Sequence, residues 1–385
     1  MNIAVIGGGI YGSSIAYFLK KLGDVDVTLF EKNDIGGTST ARSAGIVRHH
    51  YSNEQQIKIA RRGREILEDL STHVGHTGGF VNNGFLMMAG ESNEEAFRQN
   101  VTLQQEIGID VDILTPEEVN RYLPGFNQDS ISVAAYEHEA GVADPYLVTT
   151  GFASRAAELG AEIRTNTPVV DLIVDDREIT ALQTESDVRE IDYVVNATGP
   201  YGRDVAGMAG IEIPLSWWES KVVVLSTDTE NTAELPGFAD LHSAMYGRPE
   251  GEGQFLVGGF NDVSLERPTS TLASVTSEDL IEVGEWLEVR FPRFADARIV
   301  NDWSGVITAA PDWHQIIGRP RNRDNFFNAL AGGGHGFKEA PGFAESIAET
   351  ILGDRPTFDL SRYRLERFDE DDEMTSRYQS APWLA

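Results

Sequence analysis

Three glycines at positions 7, 9 and 12 stand near the amino terminus, and a glutamate follows 19 residues later at 31. The chemistry available to this set is capture of a dinucleotide. Gly7 permits a tight turn, Gly9 lets backbone approach a pyrophosphate, and Gly12 lets a helix pack closely on the preceding strand. A helix N-terminus at this point offers unpaired N–H groups and the positive end of its dipole to phosphate. Glu31 can accept both hydroxyls of an adenosine ribose, and its charge excludes a ribose 2′-phosphate. FAD and NAD both satisfy these demands.

The elements that must position those residues are legible around them. An apolar run over 2–6 reads as a buried parallel strand, 13–22 as a helix stopped by Gly23, and 25–30 as a second strand ending on Glu31. Residues 34–53, DIGGTSTARSAGIVRHHYSN, form a polar, glycine-rich loop with two arginines and two histidines. Long ordered loops of this kind are usually functional. Asn53 is placed to cap a helix over 54–71, and Thr115-Pro116 and Asp144-Pro145 read as further helix starts. Residues 192–197 read as another buried strand, running into Thr198-Gly199-Pro200. Alternating β-branched and aromatic residues over 213–227 and 252–260 predict antiparallel sheet. The glycine cluster 332–336 precedes a helix expected over 341–352, and the acidic tail from 366 to 385 is expected to be loosely attached.

At 385 residues the chain is too long for one simple core, so two domains are expected. Its 61 acidic against 31 basic residues give a net charge of −30, and only six of the basic residues are lysine. The acids are dispersed along the whole chain. Such a surface suits molar salt, where screening shrinks self-repulsion to a few ångström, and it repels nucleic acid and anionic membranes. The absence of cysteine excludes disulfides, thiolate catalysis and a thioether-linked flavin. Eight histidines show no metal-ligand spacing, so no metal is expected. No apolar run approaches the ~18 residues of a membrane span, and the first strand begins at the first residues; a cytoplasmic protein is the expectation.

Four separated pieces together resemble the glycine/D-amino acid oxidase family of FAD-dependent oxidoreductases, in pattern nearest to sarcosine oxidase and its β-subunit-like relatives. They are GGGIYG with Glu31, then RSAGIVRHHYSNE, then VVNATGPY at 194–201, and finally APDWHQIIG with ALAGGGHGFKEAPGFAE. The fold so implied is α/β: a Rossmann-like FAD domain and a substrate domain with a mixed, largely antiparallel β-sheet. The expected division gives 1–75, 140–210 and 300–365 to the FAD domain and 76–139 and 211–299 to the substrate domain, leaving the tail apart. The resemblance implies non-covalent FAD contacted by Gly7, Gly9, Ile10, Tyr11, Gly12, Glu31 and Lys32 in the first piece. Thr38, Ser39, Ser43, Ala44 and Gly45 follow in the second, then Val169, Ala197, Thr198 and Gly199. The set closes with Gly305 and with Gly333, Gly334, His335, Gly336, Phe337 and Lys338.

By the same resemblance Arg48 binds a substrate carboxylate, Lys338 serves it as a second cation, and Tyr246 brings an aromatic hydroxyl. Charge-assisted pairing supports those roles. His335 and His49 are further candidates. The implied reaction oxidises the C–N bond of a small amino acid or an N-methyl or secondary amino acid, of the sarcosine, glycine, proline or D-amino acid type, by hydride transfer to flavin N5, followed by imine hydrolysis. The amine must be neutral, so activity should rise toward alkaline pH. Gly305 stands where sarcosine oxidases carry the flavin-linking cysteine. Val257 stands in place of the lysine that promotes oxygen reactivity, and Asn261 in place of an active-site histidine. Oxygen or an electron carrier is the acceptor, with the carrier favoured. Two other readings stay open: a 2-hydroxy-acid dehydrogenase, for which His49, His50 or His335 would supply the base, and a flavin-carrying electron-relay subunit. Substrate identity and oligomeric state are left open.

Overall fold

The computed structural model describes residues 1–227, 232–251, 253–268, 274–294 and 296–378, without the side chains of 260–262. The dinucleotide fingerprint opens a six-stranded sheet in the order Ile316–Gly318, Phe326–Leu330, Tyr193–Asn196, Asn2–Ile6, Asp26–Phe30 and Glu162–Arg164. All neighbours run parallel except the first pair. Past its exposed first residue, Asn2–Ile6 is apolar because both faces are covered, as parallel strands require. Helices Ile10–Leu22, Pro145–Glu158 and Gly336–Leu352 share one core with one face. The ribbon of Val169–Asp175, Glu178–Thr184 and Val188–Glu190 packs towards the other.

Three adjacent parallel strands, Asn2–Ile6, Tyr193–Asn196 and Phe326–Leu330, run directly into glycine-bearing turns at 7–9, 197–199 and 332–334. Open α/β sheets bind ligands at the carboxyl ends of their strands. At Gly7 φ is +106°, and a Cβ there would lie 2.4 Å from the Ala197 carbonyl oxygen. At Gly12 a Cβ would lie 1.7 Å from the Gly7 carbonyl oxygen, so the fingerprint helix can approach its strand only with glycine there. The helix begins at Ile10, three residues earlier than its periodicity predicts.

The second layer is an eight-stranded, mostly antiparallel sheet. Its order is Arg298–Ala309, Ser216–Ser226, Gln254–Leu265, Met245–Pro249, Gly237–Asp240, Phe85–Ala89, Val133–Glu137 and Val111–Leu114. Arg298–Ala309 pairs with Ser216–Ser226 over its whole length, so the chain leaves this sheet near Ala310 and not near residue 300. A two-stranded bridge, Ile46–Val47 with Gly141–Val142, ties the long loop to the segment joining the two layers. Among the described residues no helix is long and apolar enough to cross a membrane.

Two further expectations fail for physical reasons. The last helix starts at Gly336, leaving Pro341 inside it, because Phe337, Ala340, Phe343 and Ala344 bury one continuous face and outweigh the one missing N–H. The tail through residue 378 is docked. Arg367 is fully buried, with Nε and Nη2 donating to the Asp312 carboxylate at 2.7 and 2.8 Å, and Tyr378 is buried as well. Apolar patterning carried no sign of this, since polar bonds secure most of the segment. Residues 379–385 of the expected tail lie outside the described residues.

Helix Glu54–Glu68 crosses helix Gly336–Leu352 where glycines meet backbone. A Cβ on Gly63 would lie 1.9 Å from the Lys338 carbonyl oxygen, and one on Gly342 would lie 2.5 Å from that of Ile59. Gly63→Ala must therefore separate the helices. We expect a net loss of about 2 kcal/mol after the helix-propensity gain, read as a fall in Tm. Gly207→Ala, whose Cβ meets nothing within 4 Å, should leave Tm unchanged or slightly raised. Equal melting of the two variants would refute the crossing constraint.

Candidate active site

A cavity of about 690 Å³ lies between the two layers. Its walls bring together residues that are far apart in the chain: the 7–11 turn, Glu31 and Lys32, the 36–48 loop, Val169, the 197–201 turn, Tyr246, Gly305 and the 331–338 loop. Every cofactor or substrate candidate named from the sequence is on the wall except Gly12, His49 and His50. Gly12 sits behind it as a packing glycine.

The end built by the fingerprint fits an adenine dinucleotide. Glu31 Oε2 accepts the Gly8 N–H at 2.7 Å and Oε1 accepts the Asn33 N–H at 2.8 Å, which holds the carboxylate rigidly at the cavity edge. Each oxygen keeps a lone pair for a ribose hydroxyl. Gly9 is the N-cap of the fingerprint helix and brings no capping side chain, and the Ile10 N–H donates to Thr40 Oγ1 at 3.2 Å, so a phosphate would meet that helix start beside the Thr40 hydroxyl. Ser39 Oγ and Thr308 Oγ1, both on the cavity wall, are buried without a hydrogen-bond partner among the described residues. Buried hydroxyls of this kind call for a ligand's polar atoms. Lys32 Nζ stands 3.0 Å from the centre of the Tyr201 ring, a cation–π contact on the same rim.

At the other end, two cations face one aromatic ring. The Arg48 guanidinium carbon is 4.8 Å from the centre of the Tyr51 ring, and Lys338 Nζ is 5.9 Å from it. Both cationic side chains are buried. Arg48 Nη1 donates to the His50 carbonyl, which turns the guanidinium back along its own loop. Burial pushes the Lys338 ammonium down to about 7, and the charge of Arg48 adds to the effect, while Glu339 and Glu137 oppose it. Position matters too, since Lys338 occupies the first turn of a helix, where the dipole disfavours a cation. Glu339 lies behind, fully buried and held by the side-chain amides of Gln56, at 3.1 Å, and Gln315. Burial raises its carboxyl above the usual range, and Lys338 pulls it partly back.

His335 is on the wall, edge-on to Tyr51 with ring centres 5.2 Å apart. His49 is turned away from the cavity. Its backbone N–H and its Nδ1 both meet Glu137 Oε2, at 2.7 and 2.9 Å. His50 is bonded to Gln104 and Tyr378, and burial pushes its imidazole down to about 4. Tyr246 lies opposite Gly258, where a Cβ would come within 2.4 Å of the tyrosine ring. Val257 points to the other side of its strand, into the core beneath helix Ser277–Arg290. The side chain of Asn261 lies outside the described residues. Sequence reasoning missed Tyr51, Glu339, Glu137 and Gln104, and also Trp218 and Trp313, whose rings pack 5.8 Å apart on the wall. For Tyr51 and Glu339 a signal existed, since each is the neighbour of a named cation or histidine; Glu137 and Gln104 gave none.

A flavin-binding oxidoreductase is the class that this sheet, this glutamate and these glycine turns define. The profile of the FAD dependent oxidoreductase (DAO) family matches residues 2–350, and the chain belongs to that family. It is 28% identical over 382 residues to 4-methylaminobutanoate oxidase (formaldehyde-forming) of Paenarthrobacter nicotinovorans, covering 96% of this chain and 46% of that protein. It thus spans about half the length of that relative. It is 26% identical to sarcosine oxidase subunit beta of an Arthrobacter species, covering 96% of this chain and 91% of that one. Among solved structures, L-proline dehydrogenase from P. horikoshii superposes with a TM-score of 0.90 at 28% identity, over 97% of this chain and 99% of that one. The cofactor of the family is FAD, and the cavity's fingerprint end suits it.

An anion drawn in beside Arg48 restores the Lys338 charge, which gives a testable pH dependence. Below pH 7 Lys338 is already protonated and affinity for a small carboxylate should be flat. Above pH 7 each carboxylate must bring a proton with it, and affinity should fall by up to about tenfold per pH unit. Titration calorimetry of acetate binding to the FAD-loaded protein, in buffers of different ionisation enthalpy, should show proton uptake at pH 8 to 9. Lys338→Met should abolish that uptake. Binding without uptake in the wild-type protein contradicts the assignment.

Proposed function

We propose that this protein oxidises the C–N bond of a small amino acid or secondary amino acid of the sarcosine, glycine or proline kind. The observation that carries the reading is the pair of buried cations, Arg48 and Lys338, both on the cavity wall and within 6 Å of the Tyr51 ring. A rigid guanidinium pairs a carboxylate through two parallel hydrogen bonds, and the lysine adds a point charge. The named activities of the relatives and of L-proline dehydrogenase agree with an amine-bearing carboxylate as substrate.

FAD, held by Glu31, the 7–12 turn and the 332–336 loop, supplies a hydride acceptor when bound. The chain's own residues do the rest. Arg48 and Lys338 anchor the substrate by its carboxylate, so its α-carbon takes one position in the cavity. Trp218 and Trp313 keep that wall apolar, which favours the neutral amine that can give up hydride. The glycine-rich 332–336 loop is fixed by its Gly333 and His335 N–H groups, which donate to the Thr308 and Gly332 carbonyls at 2.9 and 2.7 Å, so any polar edge of the oxyanion-hole kind must come from its other N–H groups. A 2-hydroxy-acid substrate would need a base for its O–H proton. Of the three histidines considered, only His335 is on the wall, so the amine reading is better supported.

An electron carrier as acceptor is supported by the floor of the cavity. The residue paired with Tyr246 is Gly258, the next residue, Gly259, is the one on the cavity wall, and Lys221, one strand away, points to the opposite face and pairs with Asp279 at 2.9 Å. The acidic, lysine-poor composition supports work in concentrated salt.

Anaerobic mixing of the FAD-loaded protein with sarcosine, glycine, proline, D-amino acids and 2-hydroxy acids should bleach the oxidised-flavin band with amines only. Bleaching by hydroxy acids alone would overturn the reading. Arg48→Ala should raise KM for the bleaching substrate about 100-fold, the consequence of losing a charge-assisted pair of 1.5–3 kcal/mol. Thermal melts across a KCl series should show Tm rising into the molar range; a flat series would remove the salt-adaptation proposal.

A further inference from the structure

The docked carboxyl-terminal segment reaches the active-site loop through a directed chain of buried polar groups. Gln104 Nε2 donates to Glu137 Oε1 at 3.0 Å, which turns Gln104 Oε1 towards His50 Nδ1 at 2.9 Å. That nitrogen must therefore carry the proton, and His50 Nε2 is left as an acceptor. The Tyr378 hydroxyl, 2.6 Å away, fills it. Glu137 in turn holds His49 by its backbone N–H and by Nδ1. His50 stays neutral because burial pushes it down to about 4, so the order of donors holds across the ordinary pH range.

The segment is fastened on both sides of that contact. The Arg377 N–H donates to Ser52 Oγ at 3.0 Å, and its guanidinium donates to Asn100 Oδ1 at 2.6 Å. Upstream, the Met374 N–H donates to Asp312, the same carboxylate that Arg367 grips, next to the cavity residue Trp313. His50 also supplies the carbonyl to which Arg48 donates. One short stretch of chain thus braces the loop that carries Arg48 and the loop that carries Trp313.

We propose that residues 367–378 form a strap that positions the carboxylate-binding arginine, with Tyr378 setting the place of His50 and His50 setting the direction of Arg48. Tyr378 and His50 are positioning residues, since neither is on the cavity wall. The proposal rests on the reading of Arg48 as the carboxylate anchor.

The test uses the full-length, FAD-loaded protein and compares acetate with acetamide, each read by perturbation of the flavin absorption band. Four forms are compared: wild type, Arg48→Lys, Tyr378→Phe and Tyr378→Ala. Tyr378→Ala should lower the ratio of acetate to acetamide affinity about tenfold, as leaving a buried group unpaired implies, and Tyr378→Phe about threefold. FAD affinity should stay within about twofold of wild type. A merely structural role would weaken acetate, acetamide and FAD together and leave the ratio alone. If Arg48→Lys lowers the ratio and neither tyrosine variant does, the strap proposal is overturned while the anchor stands. If Arg48→Lys leaves the ratio unchanged, the anchor reading fails and the strap falls with it. Should Tyr378→Ala not fold, Tyr378→Phe decides, because it keeps the ring against His50 and removes only the hydroxyl.

Discussion

Two positive charges buried side by side govern this structure. Arg48 and Lys338 share one aromatic ring and little water, and each raises the cost of the other. The protein tolerates the pair by setting buried carboxylates near it, Glu339 beside Lys338 and Glu137 against the histidine that follows Arg48. Neither carboxylate is itself on the cavity wall, so the charges that face the cavity are of one sign there. A site with this asymmetry is unfavourable when empty and relieved by an anion. Affinity and selectivity for a carboxylate then have the same electrostatic origin.

Holding that arrangement requires rigid supports on both sides, and the fold provides them by different means. Lys338 is fixed through its backbone, by a helix crossing so close that glycines are required at Gly63 and Gly342. Arg48 is fixed through its neighbours, by the bridge between Ile46–Val47 and Gly141–Val142 and by the hydrogen bonds of His49 and His50. The first device is steric and resists substitution at single positions. The second is a polar network, which depends on every member being satisfied.

What could be read from the amino-acid order follows the same division. The fingerprint, the glycine turns and Glu31 were legible because dinucleotide binding needs those residue types at those spacings along one stretch of chain. Arg48 and Lys338 were found only through their resemblance to a family pattern, and Tyr51 stood unread beside His50 and three positions from Arg48. Glu137 and Gln104 were illegible, since a lone glutamate at a strand end and a glutamine in a helix look like any surface pair until topology buries them. Val257 shows the limit of strand reading: a bulge near Gly259 shifts which residues face the cavity, and periodicity alone cannot place it. The docked tail shows another, since its acidic composition suggested a solvated end while Arg367 and Tyr378 carry it inward.

The fingerprint helix Ile10–Leu22 packs against Gly336–Leu352, which completes the nucleotide-binding core, yet the two lie far apart in the chain. Synthesis on the ribosome delivers them in that order, with the whole second sheet between. The amino-terminal fingerprint therefore emerges without the partner that covers it and cannot mature as an independent unit. Assembly of the coenzyme cradle waits until Gly336–Leu352 has been made, and the growing protein must keep an exposed apolar face soluble until then.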